Sequence, residues 1–152
     1  MFEVRQDDLS GDEVRALLAF HLADARSNTP AGFSFALDLS GLKTPDITVW
    51  TAWDGEALAG IAALRDLGDG SGEVKSMRTD PNHLRKGVAA TLLRHIIGEA
   101  RRRGMARLLL ETGMGPAYDP AKALYRRHGF SDGESFASYR PSAHNHFMQL
   151  AL

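Results

Sequence analysis

The chain has 152 residues, 43% hydrophobic and 24% charged, with a formal net charge of −1 and no cysteine. This is enough for one domain over residues 1–152 with a real core, and it excludes a disordered chain, disulfides, thiolate metal sites and a thiol-acyl intermediate. No global field favours nucleic acid, no apolar run reaches membrane-spanning length, and the start Met1-Phe2-Glu3-Val4-Arg5 is no signal peptide, so a cytoplasmic protein is expected.

In chain order, residues 2–5 suit a short first strand. Ser10 and Glu13 have capping-box spacing, and Val14, Leu17, Leu18 and Leu22 recur at helical intervals, which predicts a helix over 11–26. Asn28-Thr29-Pro30-Ala31-Gly32 breaks it, and residues 33–42 hold no clean period beyond a helical turn. Residues 47–53 alternate and are rich in β-formers; Asp54-Gly55 turns the chain into a second strand over 58–67. A turn over 68–72 leads to a third strand, 73–79. The next helix, about 87–103, carries Val88, Leu92, Leu93, Ile96, Ile97 and Ala100 on one stripe, with Gly104 placed to end it. Arg107 to Thr112 is a short apolar strand, reached by a crossover of the length a right-handed parallel connection needs. Asp119 is placed to cap a further helix with Pro120 at its first position, and Gly129 ends it. Phe130 begins another strand and the alternating run 145–152 closes the sheet.

The stretch Asp80-Pro-Asn-His-Leu-Arg-Lys-Gly-Val-Ala-Ala-Thr91 carries the first chemical signal. A helix starting near Gly87 exposes unpaired N–H groups and the positive end of its dipole, Gly87 lets phosphate approach those amides, and Arg85 and Lys86 add charge. The simplest reading is a pyrophosphate cradle. Glu73 and Lys75 share one face of their strand, so Glu73 reads either as a carboxylate base or as the partner of Lys75. Six histidines show no paired ligand spacing on a helix face, so no metal is expected.

Gly72-Glu-Val-Lys-Ser-Met-Arg-Thr-Asp-Pro81, Leu84-Arg-Lys-Gly-Val-Ala89, and Asp119-Pro-Ala-Lys-Ala-Leu-Tyr125 with His128-Gly-Phe130 occur in an order that resembles the GNAT superfamily of acyl-CoA-dependent N-acetyltransferases. The resemblance is firmest over residues 45–131. Leu84 stands where that family's loop has Gln or Arg, while Gly87 and Ala89 fit. It implies an α+β domain with a mixed sheet of about six to seven strands flanked by helices. Acetyl-CoA would be the co-substrate, held by Arg85, Lys86, Gly87, Val88, Ala89, Ala90 and Thr91, by backbone amides around Met77, Arg78 and Thr79, and by Asp119, which occupies the Asn position of the family's helix motif.

In the same resemblance Tyr125 falls where a tyrosine lies close to the coenzyme sulfur; it reads as the acid that protonates the departing thiolate, or as a packed helix tyrosine with its hydroxyl wet. Glu73 is the expected base, with Glu111 on the neighbouring strand as the alternative and a substrate contact in its own right. His21, Arg26, Ser27 and Asn28 on one side, with Tyr139, Arg140 and His144 on the other, flank the expected acceptor site. With Arg78 they suggest a small amine bearing an acidic group. The expected activity is acetyl transfer to a small-molecule amine, with a non-catalytic coenzyme-A-binding module or a peptide N-acetyltransferase as alternatives. The expected partners are that amine and, at most, a second copy in a homodimer, with neither nucleic acid nor membrane.

Overall fold

The computed structural model describes residues 1–152. Three β-rich segments joined by tight turns pair antiparallel in succession: β2 (Ile47–Asp54), β3 (Ala57–Asp66) and β4 (Ser71–Thr79). Gly55, at φ 59, supplies the left-handed position of the first turn. β1 (Glu3–Gln6) adds to the outer edge of β2. After helix α3 (Val88–Arg102) the chain returns as β5 (Arg107–Gly113), parallel to β4. β7 (Asn145–Ala151) and the two-residue β6 (Ser131–Asp132) complete a seven-stranded sheet in the order β1-β2-β3-β4-β5-β7-β6. The mixed sheet flanked by helices that the sequence implied is the fold found.

Helix placement follows from apolar stripes. The predicted stripe of α3 is buried at every position from Val88 to Ala100 and packs on Trp50, Leu64, Val74, Leu108 and Leu110. Helix α4 (Asp119–Arg127) adds Leu124 and Tyr125 to the same face. Helix α1 (Asp12–Ser27) covers the other face with Val14, Leu17 and Leu18, joined by Leu42 from the short α2 (Leu39–Leu42). The close seating of α3 depends on Gly60, where a Cβ would lie 2.6 Å from Val88 Cγ1 and 3.1 Å from the Arg78 carbonyl.

Local details depart from the sequence reading. The capping box at Ser10 does not form: the helix starts one residue later, with Gly11 as an N-cap without a side-chain bond, and Ser10 gives its amide and its hydroxyl to Asp8 at 3.0 and 2.6 Å. Asp119 does not cap α4 but is its first helical residue, following Tyr118. The strand expected from Phe130 shrinks to Ser131–Asp132, and Phe130 itself is buried in the core against Tyr125.

Two irregularities shape the centre of the sheet. β4 and β5 pair only over Ser71–Glu73 against Arg107–Leu109, then part. On the other side of β4 the register skips, so that Ser76 and Met77 together face the single residue Ala62, and Ser76 takes φ 54. Such a bulge bends the strand and leaves a residue out of the ladder.

Candidate active site

Where β4 and β5 part, a cavity of about 540 Å³ opens between them. Lys75, Ser76, Met77, Arg78 and Thr79 form one wall, and Glu111, Thr112 and Gly113 the other. Leu84, Arg85, Gly87, Val88, Ala89 and Ala90 close it from the start of α3, while Pro120, Ala121, Leu124, Tyr125 and Arg127 come from α4. The segment between α1 and α2 crosses the remaining side with Phe33, Ser34, Phe35 and Ala36. That segment is anchored across the gap: Thr29 and Tyr118 share a hydroxyl–hydroxyl bond of 2.7 Å, Phe33 lies 4.5 Å from the His144 ring, and Phe35 meets Tyr139 edge-on at 5.3 Å.

The loop before α3 leaves backbone donors open. Arg85 and Gly87 both take left-handed backbone, φ 61 and 86, and turn the chain into the helix. The first intrahelical bond is Thr91 N–H to the Gly87 carbonyl, so the amides before Thr91 have no intrahelical acceptor. A Cβ built on Gly87 would meet nothing within 4 Å, which leaves the space beside those amides open. Ser76 adds a buried hydroxyl without a hydrogen-bond partner on the cavity wall. Free amides at a dipole's positive end, an open glycine and an unpartnered hydroxyl fit a phosphorylated, amide-bearing ligand.

Two titratable groups on the cavity wall hold their protons more tightly than usual. Burial raises the half-buried Glu111 carboxyl from 4.5 to about 7, with Lys75 opposing and Glu73 adding to the rise. Burial alone pushes the Tyr125 phenol up to about 12, so it keeps its proton near neutral pH. Glu73 lies deeper, 1% exposed, where its Oε2 accepts from Lys75 Nζ at 3.1 Å and from the Tyr139 hydroxyl at 2.5 Å.

A profile of the Acetyltransferase (GNAT) family matches residues 14–130. The chain is 47% identical over 152 residues to YedL of Escherichia coli, named an uncharacterized N-acetyltransferase, covering 100% of this chain and 96% of YedL. The chain belongs to the GNAT acetyltransferase family. YsnE of Bacillus subtilis, named likewise, is 46% identical over 149 residues (98% of this chain and 99% of YsnE). The IAA acetyltransferase of Azospirillum brasilense is 38% identical over 125 residues (81% and 80%). Among solved structures, a Klebsiella pneumoniae protein assigned to the acyl-CoA N-acyltransferases superposes with TM-score 0.83 at 29% identity (100% of this chain and 98% of that one). A Bacillus subtilis acetyltransferase in complex with CoA shares the fold with TM-score 0.71 at 18% identity (100% and 99%). The GNAT domain is an acyl-CoA-dependent N-acetyltransferase domain.

Set against that family, the expected residues fall into two groups. Met77, Arg78, Thr79, Arg85, Gly87, Val88, Ala89, Ala90, Glu111 and Tyr125 all reach the cavity, as do His21 and Asn28. Lys86, Thr91, Asp119, Glu73, Tyr139, Arg26, Arg140, Ser27 and His144 are not on its wall. The Thr91 hydroxyl donates to the Gly87 carbonyl at 2.8 Å, and Asp119 is exposed at the helix start. Arg26 and Arg140 are exposed too, whereas Tyr139 lies behind Phe35 with its hydroxyl between Lys75 and Glu73.

Asp24, Lys75, Phe33, Phe35, Tyr118 and Arg127 escaped the sequence reading. Alternation along the strand had singled out Lys75, but only as a partner for Glu73. Gly113 carried a weak signal for Tyr118, since a Cβ there would lie 2.4 Å from its ring, an approach only glycine permits.

Proposed function

We propose that the protein transfers an acetyl group from acetyl-CoA to the amine of a small molecule in the cytoplasm. The observation that carries the reading is a cavity that joins, in one space, a phosphate-binding helix start, a carboxyl with an affinity for protons near neutrality, and a buried protonated phenol. Acetyl-CoA supplies the activated acyl group. The amides from Gly87 to Ala90, with Arg85 and Arg127 on the same cavity wall, hold its phosphates. The bulge at Ser76–Met77 directs backbone dipoles at the developing oxyanion.

Glu111 takes up the proton that the attacking nitrogen sheds as its bond to the acyl carbon forms. A base whose affinity lies near the working pH serves this step better than one fully ionised. Base work falls to Glu111, on the wall, rather than to Glu73, sealed behind Lys75 and Tyr139. As the carbon–sulfur bond breaks, Tyr125 gives its proton to the sulfur, and solvent restores it. Glu73 and Tyr139 fix Lys75 in place and thereby set the field at Glu111.

The test is direct. Calorimetry should register acetyl-CoA binding, and a panel of amines should release coenzyme thiol in proportion to N-acetylated product. Binding without thiol release from any amine would leave a coenzyme-A-binding module, and release with peptide N-termini alone would make the acceptor a polypeptide.

A further inference from the structure

The charges on the cavity wall constrain the acceptor. Of its four cations, Arg85 and Arg127 go to the phosphates of acetyl-CoA, and the two on β4, Lys75 and Arg78, are already neutralised. Lys75 Nζ lies 3.1 Å from Glu73 and donates to the Tyr139 hydroxyl at 2.6 Å. Arg78 lies 2.9 Å from Asp24, donates to His21 Nδ1 at 2.9 Å, and stacks over Phe20 at 5.4 Å. Glu111 has no cation within ion-pair distance. Beside these groups the crossing segment presents Phe33 and Phe35, half-buried, with no charge of its own on the wall.

Resting on the acetyl-transfer reading, we propose that the acceptor is a primary amine on an aromatic or similarly flat apolar body, carrying no carboxylate, with its ammonium docking on Glu111. A substrate carboxylate entering here would shed its water, find both cations engaged, and lie near Glu111. An ammonium meets the one carboxyl on the wall without a partner, and its arrival favours the ionised carboxylate; Glu111 passes the ammonium's first proton to cavity water and then takes the second as the nitrogen attacks. A polyamine would need several free acids, and Asp24 and Glu73 are both paired. Phe33 and Phe35 offer a ring faces and edges in the geometries aromatic groups favour. The acid-bearing acceptor suggested by Arg26, Arg78 and Arg140 gives way, because two of these lie off the wall and the third is neutralised.

The experiment measures kcat/KM by thiol release for 2-phenylethylamine, phenylalanine, phenylalanine methyl ester, spermidine and an aliphatic amine of equal size. We expect 2-phenylethylamine to exceed phenylalanine by about 10–100-fold, the cost of burying one acceptor group without a partner. Masking the carboxylate in the ester should restore most of that difference, which separates charge from bulk. Spermidine and the aliphatic amine should both fall below 2-phenylethylamine. Phenylalanine equal to or better than its amine, or spermidine the best of the set, would overturn the inference while leaving acetyl transfer standing. An aliphatic amine equal to the aromatic one would overturn its aromatic half. Acetyl-CoA binding with no thiol release from any of a broad amine panel would instead remove the transfer reading itself, and the inference with it.

Discussion

Glu111 offers a test of the site that needs no substrate. Its carboxyl holds a proton up to about pH 7 in the folded protein, against an ordinary value of 4.5. A carboxyl raised in this way binds more protons folded than unfolded, so its contribution to stability is fully present below pH 4.5 and is lost as pH rises through 7. Each tenfold change in proton affinity is worth about 1.36 kcal/mol, which bounds the loss at about 3 kcal/mol. The side chain is only half-buried and borders a cavity that water enters, so screening reduces this to about 2 kcal/mol. Wild-type stability alone would hide the effect. His21, lowered by burial and by Arg78 from 6.5 to about 4, loses stability in the opposite direction, as pH falls over an overlapping range. The difference between Glu111→Gln and wild type isolates the carboxyl. Urea unfolding at half-unit steps from pH 4.5 to 8 should show the variant gaining about 2 kcal/mol on the wild type across that range, with the steepest change midway between the unfolded and folded values, at about pH 6, and a plateau above 7. A difference independent of pH would refute the assignment of a half-buried, proton-holding carboxyl at this position.

Other expectations follow from the same geometry. Tyr125→Phe keeps the ring against Phe130 and removes the proton donor, so turnover should fall by about 10²-fold or more with acetyl-CoA affinity unchanged; single-turnover kinetics read the first and calorimetry the second. Gly87→Glu places a strained, charged side chain in the cradle and should abolish the thermal stabilisation by acetyl-CoA, which for a ligand at 100 times its dissociation constant is about 2.7 kcal/mol. Gly60→Ala forces Val88 away from β3 and should cost about 1–3 kcal/mol in denaturant unfolding while also weakening acetyl-CoA binding, because the displaced turn is the one that carries the free amides. His21→Asn should flatten the fall in stability between pH 6.5 and 4, read by the same urea series.

Much of this architecture was legible in the chain. The hairpin of β2 and β3, the stripe of α3 and its closing Gly104 all follow from local periodicity and turn chemistry, and each formed within a few residues of its expected bounds. The helix start proposed as the cradle was legible for the same reason: it is built of consecutive residues and depends on backbone more than on side chains. What was hidden depends on partners far along the chain. Glu73 and Lys75 were correctly placed on one face, but Tyr139, which seals them in, is 66 residues from Glu73. Arg78 is neutralised by Asp24 and donates to His21, both of α1, and no spacing between residues 24 and 78 announces it. The crossing segment lacks a period because it packs one ring at a time, Phe33 on His144 and Phe35 on Tyr139, and not along a face. The Ser10 capping box failed for a local reason of another kind: Asp8 takes the Ser10 amide that Glu13 would have accepted, and the helix begins one residue later.

The short pairing of β4 with β5 makes the sheet two leaves sharing a spine of three residue pairs. β1 to β4 form one leaf, β5, β7 and β6 the other, and α3 lies across both. Beyond the spine each leaf ends in an inner margin whose backbone groups lack the neighbour that every other central strand possesses. The spine ends at Glu73 and Leu109, with Glu111 and Lys75 just past that line on opposite pages. Among the central strands, hydrogen exchange in the free protein should be faster at the gap-facing amides of residues 75–79 and 111–113 than in β2 and β3, and a ligand seated between the pages should slow both margins together.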